Sequence, residues 1–307
     1  MSPEAREQAI GWGWITAMVV IWTGFHMSGR IGADLTLTPF DLTTLRFAVA
    51  GLLFLPWLLR HGLGGISFAQ ALLLAMTAGP GFAFFAFAGY QFAPAAHGGA
   101  ILSGALPLCT APLAWWLAGE RMSTARILSV TMIFAGVLFL VFDATSRPEP
   151  NVWIGDLSFF IGAASWSVFA VLARKWGVTP IRSAAIVATF SAATFTPVHL
   201  LFLPSNLLAA PWQEVAAQWV FQGIIVFFGS TFGYPRAVAA LGATATATGV
   251  AIVPAAVTVI AWVVLGETLD ALAIGGVVLV VTGILAGTLR FRTRRTARAD
   301  DDAPATN

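Results

Sequence analysis

Residues 107–120 read PLCTAPLAWWLAGE, and residues 254–267 read PAAVTVIAWVVLGE. Both stretches run from a proline to a tryptophan eight residues on and close with Gly-Glu; a further glycine follows each, Gly136 and Gly283. Pro107/Pro254, Trp115/Trp262, Gly119/Gly266, Glu120/Glu267 and Gly136/Gly283 are all 147 residues apart (254 − 107 = 147). An ungapped match at one offset reads as an internal duplication.

Composition sets the solvent. Hydrophobic residues make up 58% of the 307 positions, charged residues 10%, and the mean hydropathy is +0.84. Soluble domains carry roughly 25% charged residues, so this chain is solvated mainly by lipid. Its 12 Trp and 24 Phe exceed what aromatic belts at two interfaces need. The sole cysteine, Cys109, lies in an apolar run and rules out an internal disulfide framework. A sequence pI near 9.2 invites a nucleic-acid partner, but membrane topology accounts for the basic residues, and no nucleic acid is expected. The first apolar run, about 10–28, is long enough to span and lacks a small-x-small exit before Arg30. It reads as a retained anchor.

A helix needs about 20 apolar residues to cross the bilayer core. Ten candidates follow along the chain: 10–29, 40–59, 69–92, 95–118 and 124–142, then 153–173, 181–203, 217–240, 243–265 and 271–289. With the N-terminus in the cytoplasm, 13 Lys and Arg fall inside and three (Arg30, Arg46, Arg147) outside; without the basic tail the ratio is 8 to 3. The positive-inside rule therefore puts both termini in the cytoplasm. The tail, 291–307, reads as a solvated segment near anionic headgroups.

Five spans per half is an odd number, so the second copy, 148–290, is expected upside down relative to the first, 1–147. Glu120 then faces the cytoplasm and Glu267 the outside. Gly11/Gly155, Trp22/Trp166, Phe25/Phe169 and Arg30/Arg174 extend the repeat at an offset of 144 (155 − 11 = 144). Inverted repeats place a substrate site near the midplane, between halves that rock against each other.

The pattern Pro107-x7-Trp115-x3-Gly119-Glu120 followed by Gly136 resembles the signature of the EamA branch of the drug/metabolite transporter superfamily. Ile21-Trp22-Thr23-Gly24-Phe25 is similar to that family's opening segment, with Gly24 displaced by one. Pro39 followed by Leu45-Arg46-Phe47 resembles its second-helix motif. The likeness covers about 10–290. It implies an all-α membrane protein of ten helices, two inverted five-helix repeats around a central cavity. The Trp- and Phe-rich helices look most like the exporters of aromatic and other large neutral amino acids.

All 14 acidic residues fall in tails, loops or helix ends, whereas proton-coupled carriers usually keep a titratable group inside the membrane. The first span offers His26, so either facilitated export or coupling through a histidine is open. The only lysine, Lys175, stands at a helix end. Phosphorylated substrates need several buried cations, and mid-span regions offer none; a solute without net charge, such as a zwitterionic amino acid, fits better.

Candidate substrate contacts are Trp22, Phe25 and His26 on one face of the first helix, with Trp166 and Phe169 as their counterparts in the sixth. Phe82, Phe85 and Tyr90 on the third helix, and His97 and Ser103 on the fourth, are a second wall. Tyr234, Thr244 and Thr248 complete the set. Aromatic rings stack apolar side chains and attract an ammonium through their faces, although the same residues also suit ordinary packing. His61 sits in a loop, and the facing of His199 in the seventh span is open.

Pro107 and Pro254 free a backbone carbonyl in the fourth and ninth helices and are candidate hinges. Glu120 and Glu267 read as scaffold, with Arg182 and Arg46 as their respective partners. Gly229-x3-Gly233 and Gly283-x3-Gly287 suit close helix packing. No H-E-x-x-H, cysteine cluster or phosphate-binding lysine is present. The expectation is a transporter rather than an enzyme, without cofactor or metal, acting as a monomer in the cytoplasmic membrane on neutral amino acids. The alternative is an exporter of other metabolites or drugs, coupled to protons through His.

Overall fold

The computed structural model describes residues 2–118, 124–146 and 151–301. Their regular structure is helical and forms ten apolar runs. These are span 1 (Pro3–Ala33), span 2 (Pro39–His61), span 3 (Phe68–Gly89), span 4 (Ala95–Ala118) and span 5 (Thr124–Ser146). The second half holds span 6 (Val152–Lys175), span 7 (Pro180–Phe202), span 8 (Trp212–Leu241), span 9 (Ala243–Leu265) and span 10 (Ala271–Asp301). Ten crossings bring the chain back to its starting side. We call that side the terminal end and the opposite side the far end.

Helix starts follow local chemistry. Ser2 Oγ accepts from the Ala5 N–H at 3.2 Å, and reciprocal capping boxes, Thr38 with Asp41 and Ser67 with Gln70, open spans 2 and 3. Proline fills a first-turn position of spans 1, 2 and 7, where its missing N–H has no helical partner. Spans 8 and 9 are joined by Gly242 alone, whose φ of +82° turns the chain in one residue.

Three spans are interrupted. Span 3 breaks between Ala78 and Pro80, where Gly79 lies so close to Ser191 that a Cβ would meet its Oγ at 2.0 Å. Span 8 widens into a π-helix over Trp219–Val226. Span 9 breaks at Ala251–Ile252, and Pro254 begins its second piece. Pro107, by contrast, sits inside the continuous helix of span 4. The two candidate hinge prolines thus occupy different backbone settings.

The neighbour relations repeat. Spans 5 and 10 pack along each other, as do 2 and 7, and span 4 meets span 9. Span 1 packs on span 8 as span 6 packs on span 3; spans 1 and 9 repeat as 6 and 4, and spans 2 and 8 as 7 and 3. Exchanging the halves leaves this set unchanged, and an odd number of spans per half makes the exchange an inversion.

The repeat reaches atomic contacts. At the crossing of spans 5 and 10, a Cβ on Gly136 would stand 2.7 Å from Gly276 O and 2.9 Å from Val280 N. One on Gly283 would stand 3.1 Å from both Ser129 O and Ile133 N. Since 276 − 129, 280 − 133 and 283 − 136 all equal 147, this is one contact made twice. Gly11 likewise closes on Ala240 and Leu241, and Gly155 on Gly89 and Ala93. Small residues let helix backbones approach where lipid provides no hydrophobic drive between them. The repeated tryptophans Trp115 and Trp262 are 60% and 63% exposed, so they face lipid near opposite ends.

Candidate functional site

Two groups of aromatic rings stand within the bundle. Trp22 donates from Nε1 to Ser230 Oγ at 2.9 Å and stacks on Tyr234 with centroids 5.7 Å apart. One turn on, Phe25 stacks on Phe82 at 6.0 Å; Phe82 meets Trp166 at 5.0 Å, and Trp166 meets Phe169 at 5.2 Å. Trp22 therefore faces span 8, and Trp166 faces span 3, which are the repeat-related neighbours. The rings thus form two groups, Trp22 with Tyr234 on spans 1 and 8, and Phe25, Phe82, Trp166 and Phe169 on spans 1, 3 and 6.

Other expected site residues lie elsewhere. His26 is buried with its Nδ1 2.5 Å from the Tyr90 hydroxyl, and Gly29 and Gly98 leave room for that ring. This pair joins spans 1 and 3 toward the far end. Phe85 makes its ring contact with Phe84, 5.3 Å away, and Ser103 is half-buried on span 4. Thr248 donates to Thr244 O at 2.9 Å and lies 3.1 Å from Thr288 Oγ1, which fixes both threonines beside span 10 at the terminal end.

The far end is bound by buried polar groups. His97 presents Nδ1 to Asp156 at 2.9 Å and Nε2 to Asp143 at 3.1 Å, and all three side chains are buried. Asp41 accepts from Thr38 N, Ser205 Oγ and Asn206 N at 2.8, 2.7 and 3.0 Å. His199 Nε2 stands 3.3 Å from Asp41 Oδ1, and its Nδ1 is 2.8 Å from Thr44 Oγ1, which settles the facing of that histidine. Glu214 accepts from the N–H groups of Thr36 and Leu37, each at 3.0 Å. The acidic residues sit near helix ends, as expected, and three of them, Asp41, Asp143 and Asp156, are buried there. Burial of these helix ends depends on neighbouring helices, which hydropathy does not register.

The arginine pairing also differs from expectation. Glu267 does not meet Arg46; it accepts from Arg30 Nε at 3.1 Å and caps span 4 by accepting from the Ala95 N–H at 2.9 Å. A carboxylate at a helix N-terminus is favoured by the exposed N–H groups and the helix dipole. Gly266, at φ +66°, supplies the turn that aims it. Arg46 instead lies two turns inside span 2, only 7% exposed, with Nη1 3.1 Å from Gln222 Oε1. A buried cation therefore does exist within the spans. Arg182 is half-buried with its guanidinium 6.0 Å from the Trp57 ring. Its expected partner Glu120 lies outside the described residues.

Replacing Glu267 with Gln removes the charge from both the Arg30 pair and the cap. We expect Glu267→Gln to lower stability by about 1–2 kcal/mol, read as a lower midpoint in detergent thermal unfolding. An unchanged midpoint would remove this contact from the far-end closure.

Sequence reasoning passed over Ser28, Ser230, Gln218 and Gln222. Ser28 Oγ donates to Gln218 Oε1 at 2.7 Å, and Gln222 Nε2 donates to Ser28 Oγ at 3.2 Å. The available signal was the spacing of Glu214, Gln218 and Gln222, a polar stripe four residues apart in an apolar span.

Comparison with known proteins agrees with this architecture. One solved crystal structure of a protein superposes over 94% of this chain and 97% of that one, with a TM-score of 0.59 and 22% identity, a likeness of fold. The uncharacterized transporter YyaM of Bacillus subtilis (strain 168) is 27% identical over 198 residues. That match spans 61% of this chain and 62% of the relative's length. The model of the EamA-like transporter family matches residues 9–142 and again 153–288, once per half. With the paired glycine contacts and the mirrored neighbours of the ten spans, that double match makes the chain a member of the EamA-like transporter family.

Proposed function

We propose that this transporter exports neutral amino acids with aromatic or large apolar side chains by alternating access. The observation that carries the reading is the pair of repeat-related aromatic groups, Trp22 with Tyr234 and the row from Phe25 through Phe82 to Trp166 and Phe169, with Trp22 and Trp166 in equivalent places on spans 1 and 6. Such a row offers stacking surface for an apolar side chain and ring faces for an ammonium. The excess of Lys and Arg at the terminal end supports a cytoplasmic position for that end. On that orientation the buried ion pairs and caps stand at the outer end, where they would hold spans together when it closes. The membrane is the cytoplasmic one, and the working unit is a monomer.

The test is counterflow of labelled Phe, Trp, Met and Leu in proteoliposomes. We expect saturable exchange, cut roughly tenfold or more by Trp22→Ala or Trp166→Ala, with both variants still eluting as a single folded species. Full exchange in both variants would sink the aromatic site.

A second reading, export of a metabolite or drug against protons, is favoured by His97 between two buried carboxylates. Titratable groups buried in a membrane protein often serve proton relays. Movement only under a pH gradient selects that reading; exchange without one selects the uncoupled carrier.

A further inference from the structure

We infer that Arg46 is the binding group for a carboxylate on the transported solute. The inference rests on the export reading above and adds to it the part of the solute that is charged.

Arg46 is a buried cation without an internal counterion. Its Nη1 has the amide oxygen of Gln222, a neutral acceptor, while its Nε is buried with no hydrogen-bond partner. Among the described residues no carboxylate lies within 4 Å of its guanidinium. The buried or half-buried acids nearby are held by other groups: Asp41 by Thr38, Ser205 and Asn206, Glu267 by Arg30 and Ala95, Glu214 by Thr36 and Leu37. A guanidinium out of water is costly unless an anion and hydrogen-bond acceptors replace its hydration. Carboxylate is the matching anion, because it accepts two parallel N–H bonds from the guanidinium fork.

Its position joins that charge to the aromatic row. The guanidinium carbon stands 5.3 Å from the centre of the Phe25 ring and 5.8 Å from that of Phe47. Phe25 is the first ring of the row that runs through Phe82 to Trp166. A solute whose apolar part lies on that row has its charged end at Arg46.

The setting is also fixed. Gln222 belongs to the π-helical stretch of span 8, a departure from α geometry that often marks functional sites. Beside it, Gly223 lets span 8 press on span 2: a Cβ there would meet Val49 Cγ1 at 2.2 Å and Leu45 O at 3.0 Å. Gln222 is tied in turn to Ser28 on span 1. Three helices thus position one cation beside the rings. A single guanidinium matches a monoanion and leaves a phosphate dianion undercompensated, so the solute class is the monocarboxylate, with or without an ammonium.

The test uses the purified full chain in detergent and reads tryptophan fluorescence during titration with 3-phenylpropionate, L-phenylalanine and L-phenylalaninamide. Both acids are expected to bind roughly tenfold or more tightly than the amide. Arg46→Gln is expected to remove that preference, and Arg46→Lys, which keeps the charge, to retain part of it. Equal binding of acid and amide by the native chain, or no binding of 3-phenylpropionate at all, overturns the inference without depending on any variant. Full acid preference in Arg46→Gln overturns it too. If 3-phenylpropionate binds through Arg46 while L-phenylalanine undergoes no counterflow, the Arg46 site stands and the amino-acid reading fails. If L-phenylalanine and its amide are carried alike, the reading's aromatic site stands and the carboxylate site fails.

Discussion

Gly136→Val is expected to abolish the folded transporter. A single Cβ at this position already falls 2.7 Å from Gly276 O and 2.9 Å from Val280 N, both backbone atoms of span 10. Atoms of a helix backbone cannot rotate aside as a side-chain tip does, so the whole crossing must open. Overpacking a tight core costs about 1–3 kcal/mol, and Gly136→Ala should fall in that range. Valine adds two further carbons and should exceed it. Gly283→Ala, the repeat-related change, should be milder, because its nearest atom is Ile133 Cγ1 at 2.7 Å and the backbone stands back at 3.1 Å. Fluorescence-detected gel filtration and thermal midpoints check the order: Gly136→Val aggregated, Gly136→Ala clearly lowered, Gly283→Ala less so. A Gly136→Val protein with a native midpoint would mean that spans 5 and 10 do not cross at this point.

His97→Ala is expected to be the other severe loss. The imidazole is fully buried and meets Asp156 and Asp143 through its two nitrogens. A neutral imidazole has one N–H and can donate to one carboxylate only. Satisfying both contacts takes the imidazolium, which donates to both, or a carboxylic acid on one side that donates to the bare ring nitrogen. Alanine removes the imidazole from both carboxylates at once and leaves a void between spans 4, 5 and 6. Breaking buried charge pairs from one side costs about 3–5 kcal/mol. If charge is the cause, adding Asp143→Asn and Asp156→Asn to His97→Ala should recover part of the lost midpoint, a coupling that a multiple-mutant cycle measures. A triple variant no more stable than His97→Ala would assign the loss to packing alone.

These two sites were legible to different degrees. Gly136 and Gly283 stood out because the repeat writes them twice, and the structure gives the repetition its cause: each is the point where one backbone crosses its counterpart. Trp115 and Trp262 are written twice as well, but they face lipid. His97 was visible as a lone histidine in an apolar span. Its partners were not, since Asp143 and Asp156 lie 46 and 59 residues away along the chain. Gln222 was legible only as the end of a polar stripe with Glu214 and Gln218; its partner Arg46, 176 residues away, was not.

By itself the sequence determined the number of spans, because bilayer thickness sets a length that local hydropathy can satisfy or not. It also determined the duplication and its inversion, because an odd number of crossings leaves no other arrangement. Several helix starts were local too, as the Thr38–Asp41 box and the first-turn prolines act within four residues. The tertiary structure alone decided which charges meet. Arg30 reaches Glu267 and Arg46 does not, because partner choice depends on helix rotation and on depth in the bundle. Those are fixed by backbone contacts between glycines and helices far apart in the chain, such as Gly223 against Leu45 and Val49. The same contacts placed a buried arginine beside the aromatic row, where hydropathy had recorded only a charge near a helix end.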